Sequence, residues 1–138
     1  SRGLGDVYKR QHVGDSRLYR IREGKLEQIT EDHTWVARAL KMGDIDPEQA
    51  KTHPGRHVLF QCLGRKDTQK PEIGRLDIEP GYRLLLCSDG LTEEVADPAI
   101  QEIFDHSKSC DEIAQNLVEA AKDGGGSDNI TVVVVVQE

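Results

Sequence analysis

Leu84-Leu85-Leu86-Cys87-Ser88-Asp89-Gly90 and Gly124-Gly125-Gly126-Ser127-Asp128-Asn129-Ile130-Thr131-Val132-Val133-Val134-Val135-Val136 carry most of what this chain says about itself. The first is an apolar run that ends on an acid. The second is an apolar run that begins just after one. If the two strands lie side by side and antiparallel, the end of one meets the start of the other, so Asp89 and Asp128 converge at one sheet edge. Two carboxylates held together do not both stay ionised cheaply unless a positive charge sits between them. An all-oxygen site of that kind suits Mn²⁺ or Mg²⁺, whereas zinc prefers nitrogen and sulfur. A single Asp-Gly or Asp-Asn reads better as a turn or a loop end; two at matched strand ends favour a metal site. The run 130–136 does not alternate, which predicts a central strand covered on both faces.

The 138 residues are one domain's worth, enough to bury roughly two thirds of the unfolded surface. With 25 Asp and Glu against 18 Lys and Arg, the net charge is -7. Scattered basic residues in an acidic chain argue against nucleic-acid binding, which needs clustered Lys and Arg on the phosphates. No run of about 18 apolar residues predicts a membrane span. Cys62, Cys87 and Cys110 are odd in number and lack CxxC spacing. They read as buried thiols in a reducing, cytoplasmic setting rather than as a disulfide framework.

Residues 1–11 look foreign to the rest of the chain, because Asp6-Val7-Tyr8-Lys9-Arg10-Gln11 is charged where an apolar lead-in strand is wanted. They are expected to be a non-native or disordered leader, with the domain over 12–138. Residues 17–21 and 26–29 alternate around Glu23-Gly24-Lys25 and predict a β-hairpin. Thr30-Glu31-Asp32-His33 precedes a short helix through Trp35, Val36, Ala39 and Leu40 that Gly43 stops. Asp46-Pro47 starts another helix. A strand is expected over 57–63, and a second hairpin pairing 73–78 with 82–87 across Glu79-Pro80-Gly81. Asp97-Pro98 starts a helix through Ile100, Ile103 and Phe104. Ile113, Ala114, Leu117, Val118 and Ala121 recur at helical spacing and end at the triple glycine. That glycine run follows a helix and precedes a strand, the reverse of a phosphate-cradling loop. The order is that of an α+β layered fold.

Five motifs in sequence carry a family resemblance: His12-Val13-Gly14-Asp15-Ser16-Arg17-Leu18-Tyr19-Arg20, Thr30-Glu31-Asp32-His33, His53-Pro54-Gly55-Arg56, Cys87-Ser88-Asp89-Gly90-Leu91-Thr92 and Ser127-Asp128-Asn129-Ile130-Thr131. Together, over residues 12–138, they resemble the protein phosphatase type 2C family (PPM), the metal-dependent Ser/Thr phosphatases, in their compact bacterial form. The resemblance implies an antiparallel β-sandwich flanked by helices in four layers, α-β-β-α, with two and in some relatives three Mn²⁺ or Mg²⁺ ions in a cleft at one end. It implies hydrolysis of phosphoserine and phosphothreonine in proteins, opposite a Ser/Thr kinase, by a metal-activated water and without a covalent phosphoenzyme. By motif position Asp89 and Asp128 are metal ligands and Asn129 a support. Asp15 and Glu93 correspond to acids of a third, weaker ion. His53 and Arg56 fall in the family's flap beside the cleft and are candidates for substrate contact. Arg17 reads as the structural partner of a nearby carboxylate rather than a phosphate clamp.

The family's metal-bridging Asp-Gly-Met-Gly-Gly-like motif, its phosphate-gripping Arg and its general-acid His have no counterpart in residues 1–138. Gly3-Leu4-Gly5-Asp6 lies too close to Gly14-Asp15 to substitute. The chain therefore resembles the C-terminal half to two thirds of such an enzyme, with the N-terminal part of the fold missing, and is expected to bind metal weakly and turn over poorly alone. Two other readings stay open: a non-catalytic phosphatase-like module that binds or regulates a partner, and an unrelated acidic domain whose Asp-Gly and Asp-Asn sites are only turns. His12, His33, His53, His57 and His106 show no metal-ligand spacing and read as structural or solvated.

Overall fold

The structure, a computed structural model, describes residues 7–64, 66 and 70–137. Among these residues six strands form two antiparallel sheets. β1 (Val7–His12) pairs with β4 (Glu72–Asp77) in one, and β3 (Lys25–Gln28), β2 (Arg17–Arg22), β5 (Arg83–Cys87) and β6 (Val132–Val136) make up the other in that order. The β2–β3 hairpin forms where Glu23 and Gly24 take positive φ at 50° and 69°, the twist a tight hairpin needs.

Among the described residues there are also five helices: α1 (Trp35–Met42), α2 (Pro47–Thr52), α3 (Asp89–Thr92), α4 (Asp97–His106) and α5 (Cys110–Gly124). Their limits follow local chemistry. The Thr34 side chain accepts from the Ala37 amide to cap α1, and Gly43 at φ 80° closes it. Asp46 and Gln49 form a capping box ahead of α2, with Pro47 in the first turn. Ser109 caps α5 through the Glu112 amide.

Two packed layers hold the sheets. On the helical side, Tyr19, Ile21, Leu85 and Cys87 meet Leu91, Ile100, Phe104, Ile113, Leu117 and Ala121. On the opposite face, Leu18, Leu84 and Tyr82 meet Leu76 and Ile78 from β4 and the residue after it. The order is helix, sheet, sheet, and α1 and α2 wall a cavity at one end.

Four expectations change in the folded chain. Residues 73–78 and 82–87 are not a hairpin: β4 pairs with β1 and β5 with β2 and β6, because Leu76 and Ile78 stack face to face on Leu84 instead of lying beside it. Residues 57–63 form turns, with one bridge from Leu59 to Thr34 in place of a strand. β6 is not central. Among the described residues nothing pairs with its outer edge, and Val133 and Val135 are 50 % and 43 % exposed while Val132 and Val134 pack on the helical side. The boundary expected after residue 11 falls inside β1, whose residues 7–11 are in register with β4; residues 1–6 lie outside the described residues.

Candidate metal centre

Pairing β2, β5 and β6 brings three acidic turns to one end of the sheet. Cys87 stands opposite Val132 and Arg17 opposite Cys87, and the Ser88 amide donates to the Thr131 oxygen at 3.0 Å. Asp15 comes from the loop between β1 and β2, where Gly14 takes φ 117°. That loop is tied to the next motif: the Gly14 amide donates to His33 Nδ1 at 3.1 Å and the His33 amide donates back to the Gly14 oxygen at 2.9 Å.

Asp15 and Asp89 line one cavity of about 1260 Å³, with Arg56, His57 and Glu93 on its wall. Burial, and next the charge of Asp89, hold the Asp15 carboxyl above the usual carboxylate range. Two acids therefore oppose each other in a recess, the electrostatic situation that a bound cation relieves. Their donor set is oxygen only, which fits Mn²⁺ or Mg²⁺.

Arg17 is committed elsewhere, as expected. Its Nε and Nη2 fork onto the Asp32 carboxylate at 2.7 to 3.1 Å, and Nη1 donates to the Tyr19 hydroxyl, which donates to Asp97 at 2.9 Å. The fork and the Tyr19 contact outweigh burial and raise the Arg17 pKa, while burial raises that of Tyr19.

Glu93 faces the flap: Arg56 Nε stands 3.5 Å and His57 Nδ1 3.4 Å from its carboxylate. Arg56 thus lines the cavity, whereas His53 does not; it ends α2 and accepts the Gly55 amide on Nδ1 at 3.0 Å. His57, the neighbour of Arg56, carried no sequence signal beyond that adjacency.

Asp128 approaches from behind α3. Its carbonyl carbon lies 3.4 Å from where a Gly90 Cβ would stand, but it does not line the cavity shared by Asp15 and Asp89. Its Oδ1 accepts the Asn129 amide at 2.7 Å. Asn129 contributes through its main chain, whose oxygen accepts from the Ser88 hydroxyl at 2.9 Å. The half-buried Glu94 accepts from both the amide and the hydroxyl of Ser127, and these bonds lower its carboxyl pKa.

A second group was not foreseen. His12, His33 and Glu72 bring one ligand atom each within 4.8 Å of one another, the one such trio among the described residues. The polarity of its hydrogen bonds opposes metal binding. Because His33 Nδ1 accepts the Gly14 amide, the ring proton sits on Nε2, the atom that faces Glu72 at 3.9 Å. A metal-ligating His carries its proton on the far nitrogen and donates it outward. The trio is a buried polar cluster, and the acidic cavity is the candidate metal centre.

Residues 18–137 match the family described as Stage II sporulation protein E (SpoIIE). The protein phosphatase PhpP of Streptococcus pneumoniae is 40 % identical over 124 residues, which are 90 % of this chain and 50 % of PhpP. The S. agalactiae serine/threonine phosphatase superposes with a TM-score of 0.92 at 35 % identity, over 98 % of this chain and 56 % of that one. The catalytic domain of the serine/threonine phosphatase PstP, solved in complex with two manganese ions, gives a TM-score of 0.84 at 38 % identity, over 96 % of this chain and 54 % of that one. The chain spans about half the length of these relatives. With a matched fold and this degree of identity, the chain belongs to the protein phosphatase type 2C (PPM) family.

Proposed function

We propose that the chain is the C-terminal half to two thirds of a cytoplasmic protein-serine/threonine phosphatase that uses Mn²⁺ or Mg²⁺. The opposition of Asp15 and Asp89 in one cavity carries this reading. Asp89 and Asp128, with Asp15 at a weaker site, would hold the ions. Bound divalent ions supply Lewis-acid activation of water and neutralise phosphate charge. Arg56 and His57 present donors in the same cavity, and Glu93 holds them there. The Arg17 guanidinium is occupied by Asp32 and is not a phosphate clamp. The nearby Cys87 thiol is not poised as a covalent nucleophile, because it is buried and its pKa is pushed up to about 12. Phosphorylated proteins are the substrates and a Ser/Thr kinase the opposing activity. Alone, the chain is expected to bind metal weakly and turn over slowly.

In the full-length protein, Asp89→Asn should abolish Mn²⁺-dependent phosphate release from a phosphothreonine peptide, and Asp15→Ala should weaken it less. Full activity of the Asp89 variant would overturn the assignment. Tight phosphoprotein binding with no phosphate release by the unsubstituted protein would leave a binding module instead.

A further inference from the structure

The triple glycine before Asp128 is longer than a helix stop requires. Gly125 and Gly126 satisfy the end of α5, their amides donating to the Lys122 and Ala121 oxygens at 3.2 and 3.0 Å. The other constraint on the run is Glu94. A Cβ on Gly124 would lie 3.0 Å from Glu94 Cβ and 3.1 Å from its main-chain oxygen, and one on Gly125 would lie 3.1 Å from Glu94 Oε2. Gly125 and Gly126 also take φ of 145° and 58°, which side chains rarely adopt. The glycines let the chain fold around the Glu94 carboxylate.

That carboxylate reaches the residue just before Asp128. Oε1 accepts from the Ser127 amide at 3.2 Å and from the Ser127 hydroxyl at 2.5 Å. On the other side, the Ser88 hydroxyl donates to the Asn129 oxygen at 2.9 Å and accepts from the Thr131 amide at 3.0 Å. Ser88 and Glu94 both belong to the turn that carries Asp89. The Glu94 backbone is fixed there by its amide bond to the Leu91 oxygen, between fully buried Leu91 and buried Val95. Asp128 is thus held by an anchor at Ser127 and another at Asn129, each one residue away and each rooted beside Asp89.

We propose that Glu94 is a positioning residue: by gripping Ser127 it sets where Asp128 stands relative to Asp89, and so sets the affinity of the cation those acids hold. The inference rests on the reading of Asp89 and Asp128 as metal ligands. Supporting groups of this kind change metal affinity by about 10- to 100-fold when removed.

The test titrates Mn²⁺ into the full-length protein, following free ion by electron paramagnetic resonance, for the wild type, Asp128→Asn, Glu94→Ala, Glu94→Gln and the Glu94→Ala/Asp128→Asn pair. Glu94→Ala should weaken binding about 10-fold. Glu94→Gln should recover most of it, because an amide oxygen still accepts from Ser127. In the Asp128→Asn background Glu94→Ala should add nothing, since it acts through that residue. A glutamine variant as weak as the alanine variant would mean that Glu94 contributes only charge, and would overturn the proposal. So would an unchanged Glu94→Ala. If Asp128→Asn leaves Mn²⁺ binding intact, or the wild type takes up none, the metal reading itself fails. Amide exchange then decides the clamp without metal: the amides of 128–131 should exchange faster in Glu94→Ala and not in Glu94→Gln, and equal rates in all three proteins would refute it.

Discussion

A Cβ on Gly90 would collide with the main-chain oxygen of Asn129 and stand 2.9 Å from its carbonyl carbon. The missing side chain therefore lets the loop that carries Asp128 close over the turn that carries Asp89. Gly90 is buried and its φ is not in the left-handed region, so the requirement is for space. Gly90→Ala should push the loop away, cost about 1–3 kcal/mol of stability by overpacking, and weaken Mn²⁺ uptake. Urea unfolding and a Mn²⁺ titration check both. An alanine variant as stable and as avid as the wild type would show that the loop is free to move.

Arg17 and Asp32 are the ionic joint between β2 and the segment leading to α1. Their side chains are 25 % and 15 % exposed, so each is costly to leave alone. Asp32→Ala strands the guanidinium and should cost about 2–4 kcal/mol in a urea melt. Arg17→Lys, which keeps charge but loses the fork and the Tyr19 contact, should cost less. A change below about 0.5 kcal/mol for Asp32→Ala would class the pair with ordinary surface contacts.

What the sequence made legible was local. Gly43, Asp46 and Pro47 limit α1 and α2 as their chemistry requires, although the cap of α1 is Thr34, one residue past the 30–33 run expected to supply it, and Ile113, Leu117 and Ala121 bury the face of α5 that their spacing implied. Asp15 and Asp89 were legible because tight turns at strand ends place them. Sheet membership was not, since β4 chooses β1 over the nearer β5 through a face-to-face packing of Leu76, Ile78 and Leu84 that no short window encodes. Lys9, Arg10 and Gln11 looked unlike a strand, yet Arg10 pairs with Glu72 of β4. The Glu93 partnership with Arg56 and His57 depends on how a turn-rich loop folds back, and the grip of Glu94 on Ser127 spans 33 residues.

His12 gives stability a pH dependence. Burial, and next the adjacent His33, hold its imidazole below the ordinary 6.5, with Glu72, the Ser16 main chain and Asp32 opposing. Both ring nitrogens are buried without a hydrogen bond, and the rings of His12 and His33 stand 4.6 Å apart. A folded-state pKa below the unfolded one means that the unfolded chain binds more protons, so stability present above about pH 6.5 is lost as pH falls. His12→Phe should flatten that loss between pH 7 and 5 and should not destabilise at pH 7, because it removes orphaned polar atoms. Denaturant melts at three pH values decide it; parallel slopes for the two proteins would refute the assignment.

The outer edge of β6 should make the isolated chain self-associate. Five valines run without a charge or a proline, and Val133, Val135 and Leu86 stand 50 %, 43 % and 43 % exposed on the face that β1 and β4 leave open. Unpaired amides beside exposed β-branched side chains are a template for another strand. Sedimentation velocity on the 138-residue chain should show a concentration-dependent shift to larger species. Val133→Lys places a charge on that open face without touching the helical side, where Val132 and Val134 pack, and should restore the monomer. A chain that stays monomeric at high concentration, or a lysine variant that associates as strongly, would show that the β6 edge does not drive association.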